Sequence, residues 1–287
     1  MRFDLDDDQR DFAAALESLL ASADTVGVAR AWADGDHGPG LKLWARLAEL
    51  GVTSLAEEPV FLVIAFERLG YHAVPGPWVE SVAYLGRADG IATLAAPPHV
   101  PYALDADVAD QVCVGSSPAQ SVGERVGSVD RTRHLFPVTG DGEVEGTAFD
   151  RAVLAVSAQL LGAGERILAD SVAYVKQRKQ FGREIGSYQA IKHALADVRI
   201  ALDFARPLVL GAALGEVPAS AAKVAAGDAA YLASRTGLQV HGAIGYTQEL
   251  DLSLWLTKVR ALVTAWGTPA YHRARLLSSL VGPVEGV

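Results

Sequence analysis

Two runs in this chain carry residue types suited to holding a phosphorylated ligand. The first is Gln177-Arg178-Lys179-Gln180-Phe181-Gly182-Arg183-Glu184-Ile185-Gly186-Ser187-Tyr188-Gln189-Ala190-Ile191-Lys192-His193. A guanidinium is planar and permanently charged, which suits a pyrophosphate. Glycine after a helix lets a ligand approach the backbone closely. Tyr188 and Gln189 add an aromatic ring and an amide that could meet an adenosine. Read alone, Arg178 is more simply a solvated cation at a helix end, where it suits the dipole. The second run is Gln239-Val240-His241-Gly242-Ala243-Ile244-Gly245-Tyr246. Backbone amides in such a loop can hold phosphate oxygens, and the plainer reading is a glycine helix cap. His241 reads as a packed or orienting side chain, because no second His, Cys or Asp stands at metal-ligand spacing, so no metal is expected. Gly162-Ala163-Gly164 lies within helical periodicity with no strand before it and is not a dinucleotide fingerprint. Neither G-x-S-x-G nor H-E-x-x-H occurs, which leaves hydrolase readings without support.

Three textures of sequence must position these runs. Residues 1–96 read as helical, with Asp6 or Asp7 as a cap, Leu41–Leu50 closed by Gly51, Pro59–Leu69 stopped at Gly70, and a short helix over Trp78–Leu85. Residues 97–148 carry turn signals and short strand-like runs such as Gln111–Val114 and Arg133–Val138. Residues 149–287 return to helices over Ala152–Lys176, Gln189–Leu214 (kinked or broken at Pro207), Pro218–Leu238, Asp251–Thr264 and Pro269–Leu280. The fold class is therefore mainly α with a small β region: an N-terminal helical domain, a reduced middle β domain and a C-terminal antiparallel bundle.

Composition narrows the function. The chain has 287 residues, enough for a substantial core, and half of them are hydrophobic. A net charge of −9 gives no footprint for nucleic acid. The lone cysteine, Cys113, excludes an internal disulfide framework and fits a reducing cytoplasm. The acidic start suggests no signal peptide, and no run of 18 uninterrupted apolar residues predicts a membrane span.

In their order along the chain, Arg-x-x-Phe-Gly, Tyr-Gln-Ala-Ile-Lys-His, Gln-Val-His-Gly-x-Ile-Gly-Tyr and Trp-Gly-Thr resemble the FAD-binding C-terminal half of acyl-CoA dehydrogenases. Leu47-Ala48-Glu49-Leu50-Gly51-Val52 and Glu67-Arg68-Leu69-Gly70 extend the resemblance more weakly to the N-terminal helices. The resemblance implies that Arg178, Gln180, Phe181, Tyr188, Gln189, Gln239, Gly242 and Thr268 bind the cofactor FAD, most of them its ADP moiety. It also implies α,β-desaturation of an acyl-CoA thioester, with a glutamate taking the α proton. That glutamate is missing. Trp266 stands before Gly267-Thr268, where many members keep it, and Ala152 stands where a second group keeps it. Asp150 and Glu249 are the weak substitutes. The β region also lacks the family's flavin-facing segments. The chain thus resembles the small, non-catalytic subunit of heteromeric (α2β2) enzymes that act on steroid-side-chain thioesters. Its expected partners are a larger catalytic subunit and, as acceptor, an electron-transfer flavoprotein. Two alternatives stay open: a self-sufficient homomeric flavoenzyme using Asp150 or Glu249, and a non-redox scaffold or non-oxidative acyl-CoA enzyme.

Overall fold

The computed structural model of the chain describes residues 4–180 and 182–281. Helix α1 (Asp7–Ser22) begins in a reciprocal cap: Asp6 Oδ1 accepts from the Gln9 amide at 2.8 Å, and Gln9 Oε1 accepts from the Asp6 amide at 3.1 Å. Helix α2 (Thr25–Ala33), capped by Asp24, had no clear sequence signature because small residues blur its periodicity. Helix α3 (Gly38–Glu49) ends before Gly51, whose φ of 90° reverses the chain. Helix α4 (Pro59–Tyr71) ends one residue beyond Gly70, where the sequence places its stop. Gly70 serves helix packing: a Cβ there would stand 2.1 Å from the carbonyl oxygen of Gln159. The short helix expected at Trp78–Leu85 is a single π-helical segment, Val79–Tyr84.

The β region consists of short strands. β1 (Ala92–Ala95) precedes the expected boundary at residue 97. β2 (Tyr102–Leu104), β3 (Gln111–Val114), β4 (Ser117–Pro118), β5 (Ser121–Val122) and β6 (Leu135–Thr139) follow. β1 pairs parallel with β3, with Ala92 opposite Gln111, and β4 adds antiparallel to β3. β2, β6 and β5 form a second, antiparallel sheet.

Helix α5 (Gly146–Gln177) is capped by Glu145 and packs against α4. It is long and apolar enough to cross a membrane, but 83% of its apolar window is buried within the protein, so it is the central core helix. A two-strand turn, β7 (Lys179–Gln180) and β8 (Arg183–Glu184), leads to α6 (Gln189–Ala213). Helix α6 continues through Pro207 instead of breaking, because Ala205 and Val209 on either side are fixed in the core. Helices α7 (Ala219–His241), α8 (Leu252–Thr264) and α9 (Pro269–Val281) complete the bundle. Pro218 is the residue capping α7 and not its first helical residue.

The closest backbone approach in the core joins α4 to α5. A Cβ on Gly162 would stand 1.9 Å from the Glu67 carbonyl oxygen, reciprocating the Gly70 contact. The Gly162→Ala variant should therefore lose about 1–3 kcal/mol or more in denaturant unfolding. Gly227→Ala, with nothing within 4 Å of the added carbon, should be neutral or stabilise the helix by about 0.5–1 kcal/mol.

Candidate functional site

The end of α5, the β7–β8 turn, the start of α6 and the end of α7 enclose a pocket of about 760 Å³. Arg178, Gln180, Tyr188, Gln239 and Gly242 line it together with Tyr174 and Ile191. Sequence reasoning named the first five, although they lie on four segments. The Arg178 amide closes α5 on Tyr174, and its carbonyl receives the Ile185 amide at 2.9 Å, so the backbone is fixed while the side chain stays exposed. Arg178 makes no ion pair among the described residues. Arg183, which sequence reasoning did not single out, lays its guanidinium 3.9 Å from the centre of the Tyr188 ring. One face of that ring is therefore covered by a cation.

Other expected residues behave differently. Gln189 is exposed at the start of α6 and does not line the pocket. Phe181 lies outside the described residues. Thr268 is exposed beyond α8, away from the pocket lining, where its Oγ1 accepts from the Tyr271 amide at 3.2 Å. The Gly242 amide is not free for a phosphate, because it donates to Leu238 and Gln239 carbonyls and closes α7. Its φ of 64° is what requires glycine there. His241 is packed: its Nδ1 donates to the Gly237 carbonyl at 2.8 Å, and its ring stacks on Tyr174 with centroids 4.2 Å apart. Anion-binding capacity in the pocket therefore rests on side chains, Arg178 foremost.

The place where the resemblance sought a base lies at the other end of α5. Trp266 is buried at 1% exposure and adopts a φ of 56°, a costly conformation for a bulky residue. Packing and hydrogen bonds enforce it. Its ring lies against Tyr84 and Phe149, and its carbonyl accepts from His272 Nε2 at 2.9 Å. Burial pushes His272 down to about 4, so the ring is neutral and its Nδ1 is free to accept from Ser220. Lys223 braces the same turn from below, donating to the Leu262 and Val263 carbonyls at 3.1 and 2.9 Å. Ala152 is fully buried. Asp150 pairs with Arg275 through two hydrogen bonds, and Glu249 is exposed on the loop before α8. Neither substitute carboxylate approaches the Trp266 turn through any hydrogen bond.

A different carboxylate does. Glu80, on the π-helical segment, accepts from Trp266 Nε1 at 3.4 Å and is 1% exposed. Its Oε2 has no partner among the described residues. Burial raises its carboxyl above the ordinary value of 4.5, opposed by the charge of Arg133. Sequence reasoning passed over it because a lone glutamate in Trp78-Val79-Glu80-Ser81-Val82 carries no motif. The only available signal was an acid inside an apolar run.

The two regions are far apart. Phe149, against Trp266, and Arg178 lie at opposite ends of α5, about 44 Å along the helix at 1.5 Å per residue. No single dinucleotide can touch both ends in this chain.

With this geometry in place, comparison with known proteins is decisive. A family profile described as "Acyl-CoA dehydrogenase, C-terminal domain" matches residues 140–281, which include the pocket and the Trp266 turn. The acyl-CoA dehydrogenase IpdE2 of Mycobacterium tuberculosis is 29% identical over 303 residues, covering 92% of this chain and 94% of that one. The chain belongs to the acyl-CoA dehydrogenase family. Butyryl-CoA dehydrogenase from Megasphaera elsdenii has the same fold at 18% identity, with a TM-score of 0.80 over 98% of this chain and 100% of that one. A chain of the ChsE4-ChsE5 complex from Mycobacterium tuberculosis matches at 20% identity and a TM-score of 0.81, over 98% of this chain and 99% of that one. Within the acyl-CoA dehydrogenase fold, the small sheets and the helical bundle seen here are the expected layers.

Glu80 generates a pH prediction. The folded chain keeps a proton on Glu80 that the unfolded chain releases, so this group contributes full stability below about pH 4.5 and loses it as pH rises through the raised value. Above about pH 4.5 the native chain should therefore lose stability relative to Glu80→Gln as pH rises, measured by denaturant unfolding at each pH.

Proposed function

We propose that the chain is a subunit of a heteromeric FAD-dependent acyl-CoA dehydrogenase and supplies the nucleotide end of a shared cofactor site. The observation that carries this reading is the separation along α5. The pocket holding Arg178 lies at one end, and a buried tryptophan lies at the other, where the resemblance implies the base would stand. A complete site then needs a second chain, and a chain without a glutamate at that position needs a partner that has one.

When bound, FAD would accept the β hydrogen of the thioester as hydride. The residues of this chain would do the holding. Arg178 would neutralise the pyrophosphate and Gln180 would hydrogen-bond it. Tyr188, with its outer face closed by Arg183, would support the adenosine, and Gln239 would fix the polar edge. Those residue types and that cavity fit the ADP moiety. The small sheets of residues 92–139 offer little surface for a flavin ring, which the larger, catalytic partner would cover.

The reaction class is oxidoreduction at a CH–CH bond of an acyl-CoA. A steroid side chain fits best as the acyl group. A neighbour of this fold described as the Tcur3481-Tcur3483 steroid ACAD favours this, and the ChsE4-ChsE5 complex favours an assembly of two kinds of chain. An electron-transfer flavoprotein is the proposed acceptor, and the cytoplasm the proposed location. The self-sufficient alternative gains no support, because Asp150 is held by Arg275 and Glu249 faces solvent.

Purified alone, the chain should carry little flavin. Co-expressed with a larger dehydrogenase-like partner, it should yield a yellow complex that oxidises acyl-CoA thioesters in a dye-linked assay. In that complex Arg178→Ala should weaken FAD retention at least about tenfold, the loss of one charge-assisted contact worth about 1.5–3 kcal/mol. Asp150→Asn and Glu249→Gln should leave turnover within about twofold. Stoichiometric FAD and desaturase activity in the lone chain would overturn the reading.

A further inference from the structure

A second cluster of chemistry-bearing side chains sits where the N-terminal helices meet the β region, away from the nucleotide pocket. His37 precedes α3, Asp107 lies in the loop between β2 and β3, and His134 precedes β6. Their donor atoms converge. His37 Nε2 and His134 Nδ1 are 3.3 Å apart, His134 Nδ1 and Asp107 Oδ2 are 3.4 Å apart, and His37 Nε2 and Asp107 Oδ2 are 3.7 Å apart.

These separations are poor as hydrogen bonds, which for N–H···O centre on 2.7–3.2 Å. Two imidazoles here share one carboxylate oxygen, and both are beyond that range. Two sides of the triangle instead match the edge of a coordination tetrahedron, and the third is about 0.3 Å longer. Bonds of about 2.0–2.1 Å to a zinc-class ion place its donors about 3.3–3.4 Å apart. Two imidazoles and one carboxylate suit such an ion, whereas calcium and magnesium favour all-oxygen sites.

The rings are already held in place. Trp32 packs edge-on against His37 with centroids 4.6 Å apart. Its Nε1 donates at 3.3 Å to Asp105 Oδ1, which also receives the His134 amide at 3.0 Å. Asp105 is fully buried, and its own amide donates to the His134 carbonyl at 2.6 Å. One buried carboxylate therefore fixes the backbone of one histidine and the ring that packs on the other. Asp107 is partly open to solvent while His134 is buried, which gives an ion a route in and a fourth position for water.

We propose that His37, Asp107 and His134 bind one divalent ion of the zinc class and so fasten the turn between α2 and α3 to the β region. This proposal departs from the expectation that the chain holds no metal. His37 and His134 are 97 residues apart, so no local spacing advertised it. His134 Nε2 has no outer partner among the described residues. Outer partners typically contribute 10–100-fold in affinity, so micromolar binding is expected.

The test uses the full chain, or its complex if it is recovered only that way, stripped with chelator and titrated with Zn²⁺ and separately with Co²⁺. One equivalent of Zn²⁺ should bind with micromolar Kd and raise Tm. Bound Co²⁺ should give the intense visible absorption of a four-coordinate ion. His37→Ala and Asp107→Asn should each weaken binding at least about tenfold with unchanged far-ultraviolet circular dichroism. His193→Ala, an exposed histidine on α6, should change nothing. Both test variants are at partly open positions, so the result does not depend on replacing the buried His134. Absence of stoichiometric binding up to millimolar Zn²⁺, a six-coordinate Co²⁺ spectrum, or binding untouched by both variants would overturn the proposal. None of these readouts depends on flavin or on a partner's chemistry.

Discussion

The structure depends on the contact between α4 and α5. Gly70 and Gly162 let two backbones approach so closely that no other residue fits at either position. The crossing is then locked by polar groups. Glu67 on α4 accepts from Arg206 on α6 at 2.8 Å, and the same guanidinium reaches Glu165 on α5 at 3.0 Å. Burial pushes the Glu165 carboxyl up, but Arg199 and Arg206 more than offset it and hold it below the usual carboxylate range. Trp255 on α8 donates to the Gly70 and Tyr71 carbonyls, tying in a fourth helix. A network with partners on every side can be buried at tolerable cost, where a single orphaned charge could not.

Because α5 is fixed at its middle, its two ends are fixed as well, and they face different tasks. One end carries Phe149 against the Trp266 turn. The other releases Arg178 into a pocket built from three further segments. A rigid helix of 32 residues holds these regions apart, and no rotation of side chains can join them. This distance, more than the loss of any one residue, makes the chain look like part of a larger site.

The Trp266 turn is a structural device. A bulky residue with positive φ survives only where its surroundings over-determine it. Here His272 holds the Trp266 carbonyl, Lys223 the Gly267 carbonyl and the Glu80 carboxyl the Trp266 indole nitrogen. Glu80 supplies a buried acid beside Trp266, yet it is sealed from solvent. Its effect falls on stability, through a carboxyl whose pKa burial raises.

Local sequence was enough to read most helices, because capping residues and a 3.6-residue apolar period act over a few neighbours. Asp6 opened α1, Gly51 closed α3 and Gln111–Val114 is a strand as read. The motif residues Arg178, Gln180, Tyr188, Gln239 and Gly242 were also legible, since their order along the chain is itself informative. Local reading failed where a distant contact decided the outcome. Gly70 stands one residue before the end of α4, and what requires glycine there is the space that α5 occupies. Pro207 sits within an unbroken helix because its neighbours are pinned in the core. Tertiary structure alone spent the Gly242 amide on a helix cap, left Thr268 capping another helix, pressed Glu80 under Trp266 and brought His37, Asp107 and His134 to one point. Sequence fixes what short-range forces can decide; burial and convergence of remote side chains exist only once the chain has closed on itself.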